Sequence, residues 1–471
     1  MESIITTTKK DIIWNYIAIF FNMGAGILVL PMILHFLTDN EVGLNYIMLT
    51  VTSMVTLIDF GFSPQIGRNI TYALSGAKEI EKEGLHRVVE ASPNFRLLAT
   101  VIESAKYIYK RMSLFVLFAL VIGGTPYIYY VTHGFSDVNN TLAIWAIFCV
   151  SSYFNVYFIY YRSLLTGSGK IYESSVSVII SKLAYIVISC ILLVFGCGLF
   201  SVVVANFVSP LVLFAYSHMK FYTAEMRENL PTDITLEEIK HAIKAIWHNA
   251  KKIGINALGT FATLKFGTFI IGFFLPLAVV GSFGLINQVI GALSVFASAM
   301  FNSYLPLMSN LQIQHNYTEI TRKLSMTMLL YWLVMLLGGI ALLYFLPFIL
   351  KLIGSSVVLP SNTVCVLYLI VMLLEQNHSN FATLIVTANE VPFVKAGLLA
   401  GLATAILTFL SLRFTNLGLL GVVLAQGGVQ LVYNNWKWPC YVMKSLDVNV
   451  PILIKTGVDE WKKIINRYLK H

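Results

Sequence analysis

The chain has 471 residues, of which 57% are hydrophobic and 12% charged, and its mean hydropathy is +0.75. This composition excludes a soluble globular protein, which carries about twice that charge fraction, and leaves an all-α polytopic membrane protein. The net charge of +9 sits in loops and reports topology, so nucleic-acid binding is not expected. The five cysteines, at 149, 190, 197, 365 and 440, have no paired spacing and read as small core residues, with no cofactor or metal implied.

Twelve spans of roughly 20 apolar residues are predicted. They lie at about 12–37, 42–66, 112–133, 140–161, 174–196, 199–218, 253–275, 279–306, 326–350, 361–386, 394–412 and 417–436. The run after Lys9 and Lys10 is too long for a signal-peptide core and has no small-residue cleavage site, so it stays as the first span. Only short turns divide the runs at Gly196-Cys197-Gly198 and at Pro276. With both termini placed in the cytoplasm, all but four of the 32 Lys and Arg fall in cytoplasmic segments. Lys351 and Arg413 occupy outer turns, and Lys182 and Lys265 lie inside spans. That asymmetry is the positive-inside rule, and it requires an even number of spans.

The second span ends in "TLIDFGFSPQIGRN" (56–69). Counting about 1.5 Å per residue from Val42, Asp59 lies roughly 26 Å along it, in the inner half, and Arg68 reaches the headgroup level. Pro64 frees the Phe60 carbonyl, and Gly61 and Gly67 loosen the helix further, which predicts a bendable cytoplasmic mouth. Whether Asp59 touches substrate stays open.

Ser92-Pro93 starts a predicted amphipathic helix with Leu98, Val101, Ile102, Ala105, Ile108 and Tyr109 on one face. It is expected to lie on the inner membrane surface and lead into the third span. The polar segment 219–252 divides the spans six and six, so both halves share one orientation, as in transporters built from parallel repeats. The tail sets Trp461, Ile464, Ile465, Tyr468 and Leu469 against Lys462, Lys463, Arg467 and Lys470, a pattern read as membrane anchoring. The expected organisation is an N-terminal six-helix lobe (1–218), a cytoplasmic amphipathic linker (219–252), a C-terminal six-helix lobe (253–443) and a basic tail (444–471).

Four charges fall within spans: Asp59, Lys182, Lys265 and Glu375. Such residues are functional candidates by default, with a buried structural pair as the alternative. Lys182 is about 12 Å from its cytoplasmic end and is able to snorkel. Lys265 and Glu375 each lie roughly 18 Å deep, so they either pair or line a cavity. The stretch "EQNHSN" (375–380), with Gln376, Asn377 and His378, favours a water-filled cavity over an isolated pair. Asn256, Asn287, Gln288, Asn302, Gln426 and Gln430 add polar groups to the second half, each alone consistent with interhelical hydrogen bonding.

The stretches "LTDNEVGLNY" (37–46), "DFGFSPQIGRN" (59–69) and "VVGSFGLINQVIGALSVFASAMFNSYLPLMSNL" (279–311) resemble the polysaccharide flippases. These are the O-antigen type of the multidrug, oligosaccharidyl-lipid and polysaccharide exporter superfamily. The resemblance implies two parallel six-helix lobes around a central V-shaped cavity, and alternating access. It implies export of a polyprenyl-pyrophosphate-linked oligosaccharide from the inner leaflet of a bacterial inner membrane. It also implies a cationic cavity that Lys265, Lys182 and Arg68 are suited to supply. Glu375, His378, Asp59 and Pro64 are the coupling or gating candidates. Partners are the lipid-linked substrate, membrane lipids and other polysaccharide-assembly proteins. A membrane potential contributes about 2.3 kcal/mol per charge per 100 mV, so exporting a dianion gains roughly 4 to 5 kcal/mol.

Two rival readings carry different chemistry. A multidrug or organic-cation exporter coupled to H+ or Na+ needs membrane carboxylates, and two acids stand here against two lysines. A membrane glycosyltransferase would use Asp39 and Glu41 as a metal-binding acid pair. The outer turns, the longest about ten residues, leave no room for an acceptor site, so a non-enzymatic transporter is expected. Glu41 is also explained by its place at a helix N-terminus.

Overall fold

The computed structural model describes residues 9–80, 92–247, 250, 254, 266–387 and 392–468, and among them no strand forms. Nine of the described helices are long and apolar enough to cross a membrane. This is a multi-pass membrane protein with an all-helical fold. Of the other three expected spans, residues 361–386 form one long helix whose polar centre lowers its hydropathy. Residues 417–436 are interrupted, and the seventh span is described only from Phe266 onward. The chain divides into two compact units, residues 1–258 and 259–471.

The first unit contains α1 (Lys9–Phe36), α2 (Asp39–Thr56), α3 (Phe62–Leu74), α4 (Phe95–Ala119), α5 (Thr125–Val131), α6 (Thr141–Tyr157), α7 (Ile159–Gly167), α8 (Ile171–Val194), α9 (Phe200–Phe221), α10 (Ala224–Asn229) and α11 (236–247). Apolar helices gain little from burial against one another inside lipid, so small residues and hydroxyls set the contacts. Ser181 Oγ lies 2.7 Å from Ser209 Oγ between α8 and α9. Ser151 Oγ donates to the Asn206 carbonyl at 2.9 Å between α6 and α9. α3 and α7 approach closely at a pair of glycines. A Cβ at Gly167 would overlap the Gly67 carbonyl oxygen and stand 2.8 Å from Ile70 Cβ. Close backbone approach of this kind is what glycine permits.

Three expectations are corrected here. The second span breaks outright at Phe60 (φ 48°) and Gly61 (φ 81°), four residues before Pro64. Pro64 instead occupies the first turn of α3, where a missing N–H leaves no helical bond unmade. The helix beginning near Ser92-Pro93 is capped by Asn94, whose side chain accepts the Leu97 N–H at 3.0 Å. It runs unbroken to Ala119. Its apolar face is packed against protein, with Leu98, Val101 and Ala105 fully buried, and is not free to lie on a lipid surface.

α11 also packs on the first unit. The Ser104 hydroxyl donates to the Ile239 carbonyl, and Arg96 binds Glu238 at 2.8 Å and Asp233 at 3.4 Å. Trp247 stacks on both Phe60 and Phe62, with centroids 5.5 and 5.6 Å away. The backbone break of the second span is thus covered by the end of α11.

The second unit contains α12 (Phe266–Phe274), α13 (Leu277–Ile313), α14 (Tyr317–Leu352), α15 (Asn362–Val386), α16 (Val394–Phe414), α17 (Leu419–Val432), α18 (Asn434–Ser445) and α19 (Val450–Tyr468). The chain breaks between α17 and α18 at Tyr433 (φ −143°, ψ −63°). α19 packs along α14: the Trp461 indole donates to the Met326 carbonyl at 3.1 Å. A Cβ at Gly457 would meet the Ser325 carbonyl oxygen at 2.7 Å. Part of the expected anchoring face of the tail is therefore spent on protein, while Ile452, Ile454 and Ile465 stay exposed.

Glu238 holds α11 in place. The backbone N–H of Thr235, then the Arg96 guanidinium, push its carboxyl down to about 2 from an ordinary 4.5. A depressed carboxyl stabilises the fold fully above the ordinary value and loses that contribution as pH falls toward the folded one. We expect Glu238→Gln to speed amide hydrogen exchange in 236–247 at neutral pH, and the difference from wild type to shrink from about pH 4.5 down to about 2.

Candidate functional site

Asp59 ends the short turn Leu57–Asp59 and faces the first amides of α3. Its carboxylate accepts the Ser63 N–H at 3.2 Å and the hydroxyl of Tyr109 on α4. Tyr109 is itself fully buried and stacked on Tyr160. The carboxylate thus meets the positive end of a new helix and one phenol, which gives a charge in a span a structural reason to be there. Pro64 and Arg68 are exposed on α3, and Arg68 donates to Gln65 Oε1.

Lys182 is half-buried on α8 and has no counter-ion among the described residues. Lys265 and Asn256 lie outside the described residues, and with them the suggested pair of Lys265 with Glu375.

Glu375 is buried on α15 and joins a polar network built from α15, α17 and α18. Its Oε1 accepts from Gln430 Nε2 at 3.4 Å and lies 3.9 Å from His378 Nε2. Its Oε2 is buried with no hydrogen-bond partner among the described residues. Asn434 on α18 donates to Gln430 Oε1 at 2.7 Å and accepts from the Trp438 indole at 2.9 Å. His378 Nδ1 lies 2.8 Å from Asn435 Oδ1. In the tautomer whose Nδ1 donates to Asn435, Nε2 has its lone pair on the side of the carboxylate. At 3.9 Å the carboxylate and the imidazole are within ion-pair reach and beyond hydrogen-bonding distance.

The rest of "EQNHSN" is used in packing. Gln376 donates to Asn380 Oδ1 at 2.9 Å, and Asn377 Oδ1 accepts from the Trp332 indole on α14 at 2.8 Å. Asn380 reaches Ser298 on α13 at 3.3 Å. These bonds satisfy polar groups between helices, so the stretch by itself does not require the water-filled cavity read from its composition. Gln426 and Gln430 are buried, Asn287 and Gln288 half-buried, and Asn302 exposed. Asn434 and Asn435 were missed by sequence reasoning because they fall at the end of the last expected span, where polar residues are ordinary. The available signal was the pair of adjacent asparagines a few residues after Gln430, near the end of an apolar run.

Glu41, one of the acid pair of the glycosyltransferase reading, is otherwise employed. Thr38 and Glu41 form a capping box, with Thr38 N–H donating to Glu41 Oε2 at 2.9 Å. Glu41 Oε1 accepts the Leu199 N–H at 2.9 Å. No group of three or more His, Cys, Asp or Glu suited to a metal exists among the described residues.

The fold is that of solved transporters. An inward-facing multidrug resistance MATE family transporter of the MOP superfamily superposes with a TM-score of 0.65 at 13% identity, over 93% of this chain and 99% of that one. Lipid II flippase MurJ, in an inward closed conformation, gives 0.64 at 12% identity over 98% and 92%. The Vibrio cholerae MATE transporter VcmN gives 0.55 at 15% over 93% and 97%. No curated protein matches the sequence. Residues 8–312 match the family described as polysaccharide biosynthesis protein, and the chain belongs to that family.

Proposed function

We propose that the protein is a flippase that exports a polyprenyl-pyrophosphate-linked oligosaccharide, an O-antigen or other surface-polysaccharide unit, by alternating access. It sits in a bacterial inner membrane with both termini in the cytoplasm. Membership of the polysaccharide biosynthesis family and a fold shared with a lipid II flippase support a lipid-linked cargo. The observation that favours an anionic cargo is a lysine within a span that no acid among the described residues offsets. Asp59 is engaged by Ser63 and Tyr109, whereas Lys182 is half-buried with no counter-ion among the described residues. A cation within a span calls for water or an anion, and Lys265 and Arg68 are grouped with it as candidates.

Reconstitution in liposomes with a fluorescent polyprenyl-pyrophosphate oligosaccharide in one leaflet tests this. Translocation is expected to depend on the protein and to accelerate with a potential that draws negative charge outward. Lys182→Ala and Lys265→Ala should each weaken apparent affinity by about tenfold, the equivalent of one charged hydrogen bond. The drug-exporter reading has an equally similar fold in its favour; uptake of an organic cation in the same vesicles, without lipid translocation, would establish it.

Glu375 and His378 are assigned to proton coupling. Glu375→Gln should leave voltage-driven translocation in place and remove its response to a pH gradient; an unaltered pH response at matched protein levels excludes the assignment.

Asp59 is assigned a structural role. Asp59→Asn keeps an acceptor for the Ser63 amide and should transport normally, whereas Asp59→Ala should cost about 1 kcal/mol of stability. A stable but inactive Asp59→Asn protein would return Asp59 to the coupling candidates.

A further inference from the structure

The close glycine contact between α3 and α7 also places two arginines. Ser63 Oγ meets Ser163 Oγ at 2.7 Å, and Thr71 Oγ1 donates to the Gly167 carbonyl at 2.7 Å. Numbers rise together along the contact, so the two helices run parallel. Gly67 and Gly167 form the meeting point: a Cβ on Gly67 would stand 3.6 Å from the Ser163 carbonyl oxygen, and Gly167 has no room for one at all.

Each residue turns about 100° around a helix. Arg68 is one step after the contact residue Gly67, and Arg162 one step before the contact residue Ser163. Since the contact faces of parallel helices look at each other, a step forward on one and a step back on the other lead to the same flank. Burial agrees with this. Pro64, Arg68, Arg162 and Thr166 are all exposed, while Ile66, Ile70 and Leu164, on the opposite flank, are fully buried. Arg68 donates to Gln65, and Arg162 has no side-chain partner among the described residues. The sequence alone treats Arg162 as one more positive charge at the end of a span.

We infer that Arg68 and Arg162 form a two-guanidinium site for a lipid-borne phosphate or diphosphate on the exposed flank of the α3–α7 crossing. Charge for topology requires only a cation in the loop, and lysine would serve. Here two planar forks are mounted on helices whose backbones touch, so their separation is set by the glycine contact and not by flexible loops. A guanidinium binds phosphate oxygens in pairs, and two of them suit a group with more than one anionic oxygen face. On the flippase reading, on which this inference rests, the ligand is the pyrophosphate of the cargo as it enters from the inner leaflet. A phospholipid headgroup has the same chemistry.

Full-length protein in phosphatidylcholine nanodiscs tests the site, with farnesyl diphosphate and phosphatidylglycerol as separate probes and native mass spectrometry as the readout. Arg68→Ala and Arg162→Ala should each lower affinity for farnesyl diphosphate about tenfold or more. The double variant should lose little beyond the worse single one, and Lys at each position should restore part of the loss. Loss for farnesyl diphosphate with phosphatidylglycerol unaffected assigns the site to the cargo; loss for phosphatidylglycerol alone assigns it to a bilayer headgroup. Wild-type affinity for both probes in a double variant that unfolds at the wild-type temperature overturns the inference, and the lysine pair supplies a second reading if the alanine variants do not fold. A wild-type protein that translocates lipid-linked oligosaccharide while the double variant binds both probes normally would sink the site and leave the flippase standing. No translocation by wild type, with arginine-dependent phosphatidylglycerol binding, would do the reverse.

Discussion

A backbone polar group inside a bilayer has no water to turn to, and at two breaks in the described spans side chains cover the exposed groups. At Phe60-Gly61 the chain takes two left-handed residues. The amides this frees are met by Asp59, and the break is roofed by Trp247. At Tyr433 the break between α17 and α18 lies beside Gln430 and Asn434, which bond one another across it, and the Trp436 indole takes up the Val432 carbonyl. Asp59, Gln430 and Asn434, which look anomalous within or beside apolar runs, are partners of these discontinuities.

The same constraint sorts the titratable groups by role. Acids in the described spans are tied to hydrogen-bond donors: Asp59 to an amide and a phenol, Glu375 to an amide side chain beside an imidazole. Lys182 has no such tie among the described residues.

How much of this was legible in the sequence follows from which forces are local. Apolar run length located the described spans, because a bilayer imposes one length on every helix. It failed to see that the second span is two helices. Pro64 was the visible helix breaker, but the conformation that breaks the chain belongs to Phe60, a residue with no left-handed preference that is held there by Trp247, far along the chain. The amphipathic face at Leu98 to Tyr109 was read correctly as apolar and assigned to lipid, since periodicity reports a buried face without saying what buries it. Glu375 and His378 stood out by residue type, whereas Asn434 and Asn435 stood out only once α18 was folded against α15. The alignment of Arg68 with Arg162 rests on the register of two helices about a hundred residues apart in sequence, which no local pattern encodes.

The way α11 is fixed bears on where this protein can be divided. Polarity rises sharply after α9, and that is where a sequence reader would separate the halves. Yet α11, a polar helix in the chain's most hydrophilic stretch, buries Ile239, Ala242, Ala245 and Ile246 on the first unit. Gly254 comes so near the Phe60 ring that a side chain there has no space. A first half cut at the change in polarity would therefore lose the lid over its own broken span. The first unit runs on to residue 258, and two co-expressed halves should be divided at that later seam.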